Sequence, residues 1–124
     1  MTYVVDATLL LDHLRARSGA TRAFDDALAS GRRLTASVLT RIELRRELAD
    51  EHGRAAVEAV DLLLDWIAVD HEIAAAAADL ALRHGDAVPA VDYVVAATAQ
   101  RLGADLLTRD PARYPMFPAL RAPY

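Results

Sequence analysis

The sequence predicts an α/β domain built on a central, mostly parallel sheet with helices on both faces. Two observations carry this expectation. Short apolar runs alternate with longer helix-forming stretches along the whole chain. The apolar runs read as short buried strands, and such strands alternating with helices imply a parallel sheet covered on both faces. Hydrophobic residues make up 54% of 124 residues, enough for one core and one domain spanning 1–124.

Taken in order, Tyr3 to Val5 reads as a buried strand that ends at Asp6. Residues 8–17 follow as a helix with Leu9, Leu10 and Leu14 on its apolar side, closed by Gly19. Residues 21–30 form a second helix with Ala23, Phe24, Ala27 and Leu28 as its stripe, and Gly31 ends it. Leu34 to Ala36 is a strand. Ser37 caps a third helix running to about Glu51, and Gly53 separates it from a fourth over residues 54–65. Trp66 to Val69 is a strand, His71 to His84 an alanine-rich helix, and residues 85–89 a loop. The run from Tyr93 to Leu102 is a helix stopped by Gly103, and residues 105–108 form a buried strand before Arg109-Asp110-Pro111. Four prolines break up the tail, within which residues 120–122 have the composition of an edge strand.

Composition bounds the function. The chain has no cysteine, which removes disulfides and thiolate metal sites. No apolar run approaches the ~18 residues of a membrane span, and MTYVVDAT lacks a basic segment followed by an apolar one. The expectation is a cytoplasmic protein without a membrane partner. A net charge of −4 argues against gripping nucleic acid by bulk positive charge, though not against a local pocket. All 14 basic residues are arginine.

Parallel sheets place their sites beyond the carboxyl ends of the strands. Asp6 and Asp110 fall at two such ends, and Asp92 lies in the first turn of a helix that starts at the same edge. Glu43 lies two turns into the third helix, ~40° from Leu39 on the helical wheel, so it flanks the buried face. Each acid also has a plain reading. Asp6 and Asp110 suit helix caps, Asp92 suits a helix dipole, and Glu43 can pair with Arg46. Their conjunction at one edge points to chemistry. Two carboxylates ~5 Å apart repel by roughly 3 kcal/mol at an effective dielectric of 20. Six such pairs rival a domain's whole stability of about 5–15 kcal/mol. The cluster must therefore take up protons or cations. With oxygen donors alone the fitting ions are hard, Mg²⁺ or Mn²⁺, as used for in-line attack on phosphodiesters.

Thr8, Ser37 and Thr108 can bring hydroxyls to the same edge and orient carboxylates or water, or can serve only as caps and strand formers. Arg109 stands next to the site, placed for a phosphate. Arg46 falls between Leu39 and Ile42 on the wheel, so it reaches the site rim, a partner's acid, or merely snorkels. Arg41 and Arg45 read as solvated. The four histidines form no pair suited to a general base.

The segments VVDAT, TASVLTRIEL, VDYVVAATAQRLGADLLTRD and the PARYP that follows resemble the PIN-domain family, and within it the VapC-type toxins of toxin–antitoxin pairs. The resemblance spans nearly the whole chain. It implies a three-layer α/β/α fold and Mg²⁺-dependent endoribonuclease activity on structured transfer or ribosomal RNA. It implies that Asp6 and Asp92 are the main metal ligands, completed by Glu43 and by Asp110, the most variable position. It further implies a homodimer and a VapB-type antitoxin that covers the acidic pocket. All four acidic positions are present, which implies an active enzyme. Two rival folds fit poorly. A receiver domain wants a lysine, and a dehalogenase-type phosphohydrolase wants a second acid where Thr8 stands. A nuclease of RNA maturation outside a toxin pair and an inactive binding module remain as alternatives.

Overall fold

The computed structural model describes residues 1–85 and 88–124. Among them the order is β1 (Thr2–Val5), α1 (Ala7–Leu14), α2 (Ser18–Ala29), β2 (Arg33–Ser37), α3 (Val38–Glu47), α4 (Glu51–Asp61), β3 (Asp65–Ile67), α5 (His71–His84), α6 (Ala90–Leu102) and β4 (Asp105–Leu107). A 3₁₀ turn, Pro111–Arg113, follows. The strands form one parallel sheet in the order β3-β2-β1-β4. Part of the loop expected over residues 85–89 lies outside the described residues.

The strands are buried on both faces, and successive side chains of β1 show it. Val4 packs into a core with Ile73, Leu80, Val95, Leu106 and Tyr114, under α5 and α6. Val5 points the other way, into a core with Leu9, Phe24, Leu44 and Val57 from α1 to α4. Helices, sheet and helices therefore make the three layers. The register sets Val5 beside Leu107, and the Asp6 N–H donates to the Leu107 carbonyl at 3.0 Å. That pairing brings the residues after β1 and after β4 together at one edge.

Several boundaries differ from the sequence reading. Gly19 does not close the first helix; α2 already starts at Ser18, after a turn with Ala16 at φ +58°. Leu28 is exposed, and Ala20 takes its place in the buried stripe. Gly53 does not separate two helices. It lies inside α4, whose start is fixed by Asp50, its carboxylate accepting from the Gly53 N–H at 2.8 Å. The third strand is Asp65–Ile67 rather than 66–69, and the last one ends at Leu107. Residues 120–122 form no strand. The Leu120 N–H turns back onto the Phe117 carbonyl, and its side chain packs on the α5–α6 core. Gly103 ends α6 in the left-handed conformation at φ +59°, as expected.

Candidate active site

Asp6 is the first residue past β1, and it caps α1. Its carboxylate is 1% exposed and accepts four hydrogen bonds. The Leu9 N–H (3.2 Å) and Thr8 hydroxyl (2.7 Å) reach Oδ1. The Thr108 hydroxyl (2.6 Å) and Tyr114 phenol (2.9 Å) reach Oδ2. Burial pushes the Asp6 carboxyl up, and the four donors oppose that shift. Four donors match the roughly four acceptor sites of a carboxylate, so an ion on Asp6 would take the place of one of them. Each threonine is held in turn, Thr8 accepting from the Arg109 N–H and Thr108 from the Asp110 N–H, both at 3.0 Å. Burial first, then the neighbouring Asp6 charge, drives the Tyr114 phenol far up, so it stays a neutral donor.

Asp92 sits in the first turn of α6 and is 0% exposed. Arg113, from the 3₁₀ turn, grips it as a fork: Nε donates to Oδ2 at 3.1 Å and Nη2 to Oδ1 at 2.5 Å. The same Nη2 reaches Glu43 Oε2, on α3, at 3.4 Å. Burial lifts the Glu43 carboxyl, Arg113 opposes the shift, and the charges of Asp92 and Asp6 add to it. Burial acts to lower the Arg113 pKa, but the hydrogen bonds and charge of Asp92 more than offset it.

Three of the four expected acids are thus brought together from β1, α3 and α6. Asp110 heads the 3₁₀ turn partly buried. Among the described residues its side chain makes no hydrogen bond or ion pair with the other three. Thr8 and Thr108 stand on the Asp6 carboxylate. Ser37 is buried, and its hydroxyl caps α3 through the Leu39 N–H at 3.2 Å.

A groove of about 360 Å³ opens beside the cluster at Glu43, lined also by Thr8, Asp12 and Glu47 and by Arg15, Arg46, Arg109 and Arg113, while Asp6 and Asp92 lie buried behind it. Arg46 does reach the rim. Arg109 is half-exposed and held by Asp12 at 3.3 Å. A larger cavity of about 530 Å³, beside Gly19 and Tyr124, contains no member of the carboxylate cluster. Arg41 and Arg45 are not simply solvated. Arg41 pairs with Asp61 over the Trp66 ring, and Arg45 binds the Leu48 carbonyl at 2.5 Å.

Three residues of this region escaped the sequence reading. Asp12 is buried and binds Arg109, Arg17 and the Tyr124 phenol. Arg113 and Tyr114 belong to the PARYP segment, whose presence after the last strand was the available signal. The donor chemistry fits a hard divalent ion, being three oxygen-bearing side chains that share one electrostatic field. Among the described residues no three acids stand within reach of a single ion as arranged. The guanidinium of Arg113 bridges two of them.

The fold and this edge define a PIN domain: the family model for that domain matches residues 3–114, and the chain belongs to the PIN-domain family. More particularly, it is 36% identical to Ribonuclease VapC19 of Mycobacterium tuberculosis, with 98% of each chain covered. Its fold is similar to that of a toxin–antitoxin complex from Klebsiella pneumoniae, with TM-score 0.83, 21% identity and 98% of each chain covered. It is also similar to VapBC2 from Rickettsia felis bound to a promoter DNA fragment, with TM-score 0.79, 14% identity, and 93% of this chain and 94% of that one covered.

Proposed function

We propose that this chain is the endoribonuclease toxin of a toxin–antitoxin pair, cleaving structured RNA with a divalent ion, Mg²⁺ or Mn²⁺. The observation that carries the reading is the delivery of Asp6, Glu43 and Asp92 to one sheet edge by three separate elements. That arrangement is costly without cations. The kinship with a ribonuclease over nearly the whole chain supports it.

In this reading Asp6, Glu43 and Asp92 hold the ion, and Asp110 joins through water. A bound divalent ion supplies the positive charge that attack of water on a phosphodiester needs. Thr8 and Thr108 fix the Asp6 carboxylate. Arg109, braced by Asp12, and Arg46 hold the phosphate backbone at the groove. No side chain need act as nucleophile. His13, the nearest histidine to the site in sequence, is instead stacked on Phe24 at 4.3 Å. The RNA is of the transfer or ribosomal kind, and the setting is the cytoplasm. Among the described residues no helix is long and apolar enough to cross a membrane. The partners are a second copy of the chain and a VapB-type antitoxin that covers the groove.

The test is cleavage of a pool of cellular RNAs by purified protein with Mg²⁺. Cleavage should vanish with EDTA and fall roughly 10²–10³-fold in Asp92→Asn, on the scale of losing one key charge-stabilising group. Undiminished cleavage by that variant would remove the proposal.

A further inference from the structure

We propose that Arg113 is a built-in counter-cation standing in the metal's place, so that a divalent ion and the Arg113 guanidinium compete for the oxygens of Asp92 and Glu43. The inference rests on the functional reading above and goes on to a device within the same chain.

Asp92 is completely buried, and among the described residues its side chain has one polar partner, Arg113. A buried carboxylate with a single cationic partner depends on that partner. The decisive atom is Nη2. It lies 2.5 Å from Asp92 Oδ1 and 3.4 Å from Glu43 Oε2, so one nitrogen bridges the two acids. Asp92 and Glu43 would both belong to the ion's donor set, and Nη2 lies between their oxygens, so the guanidinium holds the position a shared ion would need. Two positive centres at one pair of oxygens repel, and beside the fully buried Asp92 that repulsion is screened less than in water. Occupation by the ion therefore requires the Nη2 contact to break.

The chain is built for such an exchange. Arg113 ends a single 3₁₀ turn, Pro111–Arg113, rather than a strand or long helix. The next residue, Tyr114, is buried and anchors the turn on Asp6. The guanidinium can thus leave while its backbone stays docked. Arg113 also lines the groove, so a route out toward solvent is at hand. Two consequences follow. Arg113 keeps Asp92 compensated when ions are scarce, and it weakens the ion's affinity by the strength of the contacts that must be given up.

The experiment is calorimetric titration of Mn²⁺ into the full chain, wild type against Arg113→Met, which keeps the length and loses the charge. The variant should bind roughly tenfold tighter or more, about 1.4 kcal/mol. Its thermal midpoint should be lower in EDTA and should rise further on adding Mn²⁺ than that of the wild type. Equal or weaker affinity in the variant overturns the role of Arg113 and leaves the nuclease reading standing. No ion binding by either protein overturns both. Should Arg113→Met fail to fold, the wild type gives the answer. Its Arg113 Nε–H nuclear resonance, assigned through Arg113→Lys, should move as Mg²⁺ is added and saturate with the binding isotherm. A resonance that stays in place while Mg²⁺ binds overturns the proposal.

Discussion

At the scale of single residues, the site is a matter of acceptor counts and charge. Asp6 accepts from one amide and three hydroxyls, all four of which donate to it in this arrangement. Asp6→Asn would put an NH₂ group among donors, leaving at least one of them unmatched in a buried site. It should cost about 1–3 kcal/mol of stability as well as activity. Urea unfolding checks this; an inactive variant with unchanged stability would mean that the donor set is not held in solution. Glu43 carries a pH prediction. Its folded pKa lies above the ordinary 4.5, chiefly through burial. The protonated form is thus favoured by the fold, and its stabilising contribution is complete below 4.5 and lost as pH rises through the folded value. Glu43→Gln, always neutral, escapes that loss. In ion-free buffer the stability of the variant relative to wild type should climb as pH goes from 4.5 to 7, and a flat difference would contradict the assignment. Asp6, Asp92 and Glu43 were legible in the sequence because each stands at a junction or face that local pattern reveals. Arg113 and Tyr114 were not, because Tyr114 meets Asp6 across 108 residues of chain. Only the path of the tail over the sheet edge brings them there.

At the scale of elements, the strands and α5 follow directly from apolar runs and caps, and the exceptions are instructive. Gly53 looks like a helix breaker in sequence, yet it lies in the first turn of α4 pressed against the end of α3. A Cβ there would come within 2.2 Å of the Leu48 carbonyl oxygen. The glycine is required by close approach of two backbones, and the actual punctuation is the Asp50 cap. Helix propensity alone favours alanine over glycine by about 1 kcal/mol. The clash should reverse that sign, making Gly53→Ala destabilising by about 1–3 kcal/mol, as overpacking does. A thermal midpoint at or above that of the wild type would show that α3 and α4 can separate freely. Gly19 differs, since a Cβ there would meet a side chain, that of Tyr124 at 2.9 Å, and not a backbone. Sequence shows that a glycine is present but not whether a turn or a neighbour demands it.

At the scale of the whole molecule, an acidic protein must hold an anionic polymer, and the answer lies in how charge is distributed. The chain carries −4 overall, but Arg15, Arg46, Arg109 and Arg113 line a single groove at the carboxyl edge of the sheet. Glu47, which pairs with Arg15, and Asp12, which holds Arg109, line the same groove, so Arg46 is the groove arginine with no acidic partner among the described residues. Arg46 is the cleanest probe. It is exposed and, among the described residues, has no ion pair, so its removal should leave the fold unchanged. Each phosphate contact contributes a slope of about −0.9 per charge on a duplex and about −0.7 on a single strand to log K against log salt. If Arg46 contacts a phosphate, Arg46→Ala should weaken binding to all RNAs alike and flatten the slope by about that amount. Arg109→Ala should do the same, since Asp12 keeps Arg17 and the Tyr124 phenol as partners. Both are measured by filter binding in EDTA, where cleavage does not interfere. An unaltered slope in both variants would place the RNA on another face, because contact with phosphate cannot be lost without releasing fewer counterions.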